Sequence, residues 1–108
     1  MKRDDNVYIE DIIDSIEIIT GYIGGKSEAD FETDTMLQDA VYRRFEIIGE
    51  ASTKISDSFK EQYPEIEWRL MKLMRNKLIH EYFGISPGTV YATIVADLPL
   101  LLLKLKSI

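Results

Sequence analysis

Arg75 is the residue whose position in this sequence most clearly requires a chemical explanation. On a helical wheel at about 100° per residue it falls in the middle of an arc of apolar side chains that includes Leu78 and Ile79. A guanidinium stays charged at any ordinary pH, so half-burying it requires a carboxylate, a phosphate or a water-filled cleft. Glu46 or Glu50 could supply the carboxylate in an internal ion pair, whereas a phosphate would make Arg75 a binding residue.

His80 is the one histidine of the chain and lies about 140° round the same helix from Arg75. Asn76 precedes it by four residues, so the amide can hydrogen-bond the imidazole and fix its tautomer. A histidine at the edge of a core near a helix end would give the same pattern without any chemistry. Spacing alone therefore leaves a functional and a structural interpretation of these residues open.

Composition excludes several kinds of site. The 108 residues include no cysteine and a single histidine, which rules out a disulfide scaffold, a cysteine-based zinc site and a thiol nucleophile. A metal site would have to combine carboxylates with His80, and we expect neither a metal nor another cofactor. Any reaction that uses two imidazoles would need a second copy of the chain.

Charge is unevenly distributed over a chain whose net charge is −6. Residues 1–35 contain ten acids and three bases, and the rest of the chain is close to neutral. Residues 69–80 hold four bases and no acid, a strip that either meets a nucleic acid or forms a solvated helix face. No leader sequence is evident, and no apolar run approaches the roughly 18 residues of a membrane-spanning helix. These features predict a soluble cytoplasmic protein with no membrane partner.

Apolar residues recur every three or four positions, which predicts an all-α fold. The first expected helix runs from Asp4 or Asp5 to Tyr22, and a loop or short turn follows at 27–33. The second helix runs from the cap Asp34 to about Phe59, and the third from just beyond Pro64 to about Phe83. The fourth begins at Ser86-Pro87, and Pro99 either kinks it or opens a fifth.

Residues 1–108 thus predict a single domain, an up-and-down helical bundle of four main helices plus a short C-terminal one. Gly49 lies inside the second helix, where it costs about 1 kcal/mol relative to alanine, and this indicates that another helix crosses closely there. The third helix is apolar on two sides, because Leu70 and Leu73 lie away from the arc around Arg75. A small bundle has little room for a fully central helix, so we expect a second copy to share this face.

The string Arg75-Asn76-Lys77-Leu78-Ile79-His80-Glu81-Tyr82 resembles the signature of the HepT-like toxins, a branch of the HEPN superfamily of helical ribonucleases. Other segments are similar to the same family, so that the resemblance covers essentially the whole chain: residues 43–51 (RRFEIIGEA), 64–69 (PEIEWR), 82–84 (YFG) and 97–99 (DLP).

The resemblance implies a homodimer in which two copies of the third helix face each other across a cleft and bring Arg75 and His80 of both chains together. It also implies metal-independent endoribonuclease activity on an RNA substrate. One His80 would take the proton of the ribose 2′-hydroxyl, and the other His80 or a water would protonate the leaving 5′-oxygen. Arg75 would bind the scissile phosphate, and Asn76 would orient His80 or donate to phosphate.

The resemblance implies a separate role for Tyr82. HepT toxins of type VII toxin–antitoxin systems are paired with a small nucleotidyltransferase antitoxin, MntA, which transfers AMP to the tyrosine of the signature. Tyr82 stands at that position and would be the AMP acceptor. Two alternatives remain: a catalytically inactive helical binding partner of a minimal nucleotidyltransferase, and a plain dimeric bundle in which Arg75 and His80 serve packing.

Overall fold

The computed structural model describes residues 4–80 and 86–108, and within them every side chain except those at 74 and 77–80. In this part of the chain all the regular elements are helices, so the predicted all-α bundle is confirmed. They are α1 (Asp5–Ile23), α2 (Glu28–Glu32), α3 (Thr35–Lys54), α4 (Asp57–Gln62), α5 (Trp68–His80), α6 (Pro87–Ala96) and α7 (Leu98–Lys106).

Helix α1 forms where the sequence predicts it. The Asp4 carboxylate accepts a hydrogen bond of 2.8 Å from the backbone N–H of Asn6 and so caps the first turn. Gly24 follows the last turn, and Gly25 takes a φ of 76°, a left-handed value that glycine adopts without strain. Five isoleucines form a stripe that is buried along the whole helix: Ile9, Ile12, Ile16, Ile19 and Ile23. Burial of this stripe stabilises a helix whose β-branched residues have modest intrinsic propensity.

The segment expected as a loop or short turn contains the five-residue helix α2. Ser27 and Asp30 form a reciprocal capping box, in which each side chain accepts a hydrogen bond from the other residue's backbone N–H, at 3.1 and 2.9 Å. The backbone N–H of Ser27, followed by its side chain, lowers the pKa of the Asp30 carboxyl. Phe31 is fully buried, meets the ring of Tyr42 edge-on and contacts the tilted ring of Tyr91, so α2 ties α3 to α6.

The prediction of one continuous helix from Asp34 to Phe59 was wrong. Helix α3 ends at Lys54, Ile55 is extended, and Ser56 caps a separate helix α4 by accepting from the N–H of Phe59 at 3.2 Å. Ser56 is held there by Asp5, whose carboxylate accepts from the Ser56 N–H at 2.9 Å and from its hydroxyl at 2.7 Å. This bond spans 51 positions of the chain, so helical periodicity could not indicate it.

Helix α5 begins at Trp68, four residues after Pro64 rather than just beyond it. The backbone makes a turn in which Ile66 N–H donates to Tyr63 O at 3.2 Å, and the Trp68 indole N–H donates to the same carbonyl at 3.0 Å. Ile66 is buried in that turn. The expected helix end at Phe83 lies outside the described residues.

The C-terminal region resolves the two alternatives left open at Pro99. Ser86 caps α6, and Pro87 takes its first turn as predicted. Pro99 lies in the first turn of α7, so it opens the expected short C-terminal helix rather than kinking the helix before it. Helix α7 packs on α1, and its Lys106 ammonium lies 2.8 Å from the Glu17 carboxylate.

Residues Pro87–Lys106 are, by length and composition, long and apolar enough to cross a membrane. The expectation that no apolar run reaches this length was therefore wrong. The buried positions of the stretch belong to the core of the bundle, and they make up 28% of its 18-residue apolar window. Three large apolar side chains of the stretch are exposed: Val95, Leu100 and Leu103.

Candidate active site around Arg75

The centre of the candidate site is the place where α5 crosses α3. Gly49 of α3 is buried and lies directly against Arg75 of α5. A Cβ atom at position 49 would collide with the Arg75 Cβ and would lie 2.6 Å from its Cγ and 3.3 Å from its Cα. The close crossing predicted from Gly49 is therefore confirmed, and the neighbour that needs the space is Arg75 itself.

Arg75 is half-buried, as its position on the apolar arc predicts, and its side chain keeps 31% of its exposure. The aliphatic stem lies against α3, while the guanidinium reaches the surface. Its Nη1 donates to Asn76 Oδ1 at 3.2 Å. Its Nε is buried, and no acceptor among the described residues hydrogen-bonds it.

The sequence offers Glu46 and Glu50 as ion-pair partners of Arg75, and Glu50 is the one that lies beside it. Glu50 Oε1 lies 3.8 Å from Arg75 Nη2, a distance too long for a hydrogen bond. The Glu50 side chain is 51% exposed, and an ion pair this open contributes at most about 1 kcal/mol. Glu46 lies 3.9 Å from Arg43 on its own helix. The guanidinium is thus only loosely neutralised, and a phosphate could compete with Glu50 for it.

The side-chain oxygen of Asn76 accepts from Arg75, and this leaves the amide nitrogen of Asn76 to bind another group. A guanidinium only donates, so the amide oxygen must face it and the Asn76 NH₂ group remains a donor. That donor could serve a phosphate oxygen or the imidazole of His80. Both roles were expected, and the described contacts do not choose between them.

His80 is the last described residue of α5, so its backbone continues the helix that carries Arg75 and Asn76. The His80 side chain lies outside the described residues, and so does Tyr82. The Asn76–His80 contact and the position of the tyrosine therefore stay predictions.

The basic strip continues from Arg75 toward the start of α5. Arg69 and Lys72 are both exposed, and neither forms an ion pair with a carboxylate among the described residues. Leu70 is half-buried and Leu73 is 44% exposed, so an apolar edge of α5 also faces outward. Within the described part of the chain, no group of three or more His, Asp or Glu residues is arranged to hold a metal ion.

Sequence reasoning singled out Arg75 and Asn76 but did not predict how they contact each other. It did not indicate the buried Nε of Arg75, which has no acceptor among the described residues, or the hydrogen bond from Arg75 to its neighbour Asn76. Adjacent residues on a helix point about 100° apart, so their spacing gives no signal of contact. In the folded protein the stem of Arg75 lies against Gly49, and its guanidinium reaches Asn76.

Comparisons of this sequence with a family model and with known proteins agree with each other. Residues 12–108 match the family described as "Ribonuclease HepT-like". The chain is 46% identical over 99 residues to the "Probable ribonuclease HepT" of Thermococcus cleftensis, covering 92% of this chain and 90% of that protein. It is 37% identical over 101 residues to a "Putative RNase" of Caldanaerobacter subterraneus subsp. tengcongensis, covering 94% of this chain and 90% of that protein.

A third relative is longer than this chain. The "Gamma-glutamylcyclotransferase and putative RNase" of Methanocaldococcus jannaschii is 43% identical over 99 residues, which cover 92% of this chain but only 45% of that protein. The chain thus spans about half the length of this relative. No solved structure matches the chain.

Proposed function

Because the chain belongs to the HepT-like ribonuclease family, we propose that it is the toxin of a type VII HepT/MntA toxin–antitoxin system and acts in the cytoplasm. In this proposal it is a metal-independent endoribonuclease whose active site lies in the cleft of a homodimer. Arg75, Asn76 and His80 act on the RNA, and AMP transfer to Tyr82 neutralises the activity.

The state of Arg75 is the observation that carries this proposal. Its guanidinium has one hydrogen bond to a side chain, a loose contact with Glu50 and a buried Nε without an acceptor among the described residues. Two planar N–H groups can take two oxygens of one phosphate. A scissile phosphodiester would compete with Glu50 for the exposed end of this fork, and Arg75 would stabilise the charge that builds on the phosphoryl oxygens.

The reaction needs a base and an acid, and one chain supplies a single imidazole. One His80 removes the 2′-hydroxyl proton, and the 2′-oxygen attacks phosphorus as the bond to the 5′-oxygen breaks. The partner copy's imidazole or a water gives a proton to that 5′-oxygen. The products are a 2′,3′-cyclic phosphate and a 5′-hydroxyl. The outward apolar edge formed by Leu70 and Leu73 supports a homodimer packed along α5.

Tyr82 follows Arg75 by seven residues, which on a continuous helix is about 10.5 Å along the axis and close to the same face. A phosphate-bearing adduct there would be within reach of the cleft and would compete with RNA for Arg75. This geometry supports inactivation of the toxin by AMP transfer.

The net charge of −6 favours a second candidate function. An acidic body suits a helical module that binds a minimal nucleotidyltransferase without cutting RNA itself. In that case Arg75 and His80 would not affect RNA integrity, and substitution distinguishes the two functions.

The test compares Arg75→Ala, Arg75→Lys and His80→Ala with Lys26→Ala, an exposed control in the loop after α1. We expect loss of the imidazole to slow cleavage of single-stranded RNA by about 10²–10⁴-fold and loss of the guanidinium by about 10²–10³-fold. Arg75→Lys keeps the charge without the fork, so its rate should be intermediate. Growth inhibition on expression should fall in the same order.

Circular dichroism and sedimentation of the same preparations show whether each variant keeps the fold and the dimer. EDTA should leave the wild-type rate unchanged. Folded Arg75→Ala and His80→Ala variants with wild-type rates, or turnover that requires added magnesium or manganese, would contradict the mechanism. A monomeric wild type that still cleaves RNA would show that the active site is not shared between two chains.

Incubation of the chain with ATP and the nucleotidyltransferase encoded beside it tests the modification. We expect mass spectrometry to show one added AMP in the wild type and none in Tyr82→Phe, together with loss of cleavage only in the modified wild type. An adduct retained in Tyr82→Phe would assign the acceptor to another residue.

A further inference from the structure

Two cations of α5 take no part in the proposed chemistry. Arg69 and Lys72 are exposed and form no ion pair with a carboxylate in the described part of the chain. Arg43 lies near Glu46 and Lys106 contacts Glu17 at 2.8 Å, whereas several other bases of the described residues also lack an ion pair. Arg69 and Lys72 differ in lying together with Arg75 on a helical segment, residues 69–80, that contains no acid. In an acidic protein, unpaired cations side by side on one element point to an anionic ligand.

These two residues and Arg75 form a ridge on α5. They are spaced i, i+3 and i+6, so neighbouring Cβ atoms are about 5–6 Å apart and each step turns about 60° round the axis. The ridge therefore leads from the guanidinium of Arg75 along the surface of the helix toward its first turn. Asn76 lies on the same side of α5, at an angle between those of Lys72 and Arg69.

The acids near α5 lie at the two ends of this ridge. Glu67 lies just before the helix and lines the same surface concavity as Arg69, at the first turn of α5. Glu50 of the packed helix α3 faces Arg75 at the far end of the ridge, 3.8 Å from its Nη2. An extended polyanion could thus follow the ridge without passing a carboxylate on α5 itself.

We infer that Arg69 and Lys72 bind phosphates of the RNA on one side of the scissile phosphate, one phosphate for each cation. The inference rests on the proposed ribonuclease function and adds to it a binding track for single-stranded RNA. The two residues hold the strand and set its direction over the site, whereas Arg75 holds the phosphate that reacts. The acidic remainder of the molecule restricts nonspecific binding, so affinity depends on these few contacts.

Binding measured apart from cleavage tests the inference. A fluorescent single-stranded RNA with 2′-O-methyl groups cannot be cut by 2′-hydroxyl attack, and its anisotropy gives the affinity of the full-length protein over a range of salt concentrations. For single strands, log K falls with log salt by about 0.7 for every phosphate neutralised. Arg69→Gln and Lys72→Gln should each reduce this slope by about 0.7, and Arg69→Lys should restore most of it.

Lys26→Gln is the matched control, because Lys26 is equally exposed but lies beside Asp30 and Asp34. It should leave the slope unchanged. Wild-type slopes in Arg69→Gln and Lys72→Gln would overturn the inference while leaving the proposed function intact. Failure of the wild type to bind RNA would overturn both. Loss of the dimer in either variant, with the salt slope kept, would assign the ridge to a protein interface and also overturn the inference.

Discussion

Arg75 can lie flat against α3 because position 49 has no side chain. Any Cβ there would overlap with the Arg75 stem, so the glycine determines both how closely the two helices approach and where the guanidinium emerges. Glycine costs helix stability at this place. That cost is offset by the close contact that carries Arg75 to the surface beside Asn76 and Glu50.

Two glycine substitutions separate the cost of glycine in helix propensity from its benefit for the close contact with Arg75. Gly21→Ala in α1 meets no atom within 4 Å, so it should raise the free energy of unfolding by up to about 1 kcal/mol through helix propensity. Gly49→Ala gains the same propensity but must push α5 away, at a cost of about 1–3 kcal/mol. We expect denaturant unfolding to show a gain for Gly21→Ala and a loss for Gly49→Ala, with RNA cleavage lowered only in the latter. Equal gains in both would show that Arg75 does not need the space.

At the scale of the elements, the break between α3 and α4 ties α3, the helix that α5 crosses at the candidate site, to α1. Ser56 caps α4 and at the same time bonds to the carboxylate of Asp5 through its N–H and hydroxyl. The end of α3 is therefore fixed against the first turn of α1. Because α3 carries Gly49 and Glu50, this anchor also limits how far the crossing with α5 can shift.

Ser56→Ala removes the cap and the hydroxyl bond together. Caps contribute about 1 kcal/mol, and a hydrogen bond to a charged group about 1.5–3 kcal/mol. Ser27→Ala is the control, since Ser27 caps the short helix α2 and its capping bonds are local. We expect thermal unfolding to show a clearly larger loss of stability for Ser56→Ala. Equal losses would mean that the contact with Asp5 adds nothing.

At the scale of the whole molecule, the acids and the cations of the chain are segregated. Residues 1–35 carry most of the net negative charge, and α1 belongs to the face of the bundle that packs on α3 and α7. Arg69 and Lys72 lie with Arg75 on α5, which packs on α3 as α1 does. This arrangement concentrates attraction for a polyanion on one helix, and it fits both the ribonuclease proposal and the track along Arg69 and Lys72.

The sequence by itself determined the helices whose signals are local. The isoleucine stripe of α1, the caps at Asp4, Asp34 and Ser86, and the first-turn proline of α6 act over one or two turns, so their effect can be derived from neighbouring residues. It also determined the family, because the string from Arg75 to Tyr82 and the segments around it are themselves sequence features.

Only the tertiary structure decided which residues contact Arg75 and where α3 ends. Asp5 reaches Ser56 across 51 positions, and Glu50 rather than Glu46 lies beside Arg75. These contacts depend on the angle and distance at which helices cross, and packing of the whole core sets both. A periodic pattern identifies the face that a helix buries but leaves open which residue of a neighbouring helix it contacts.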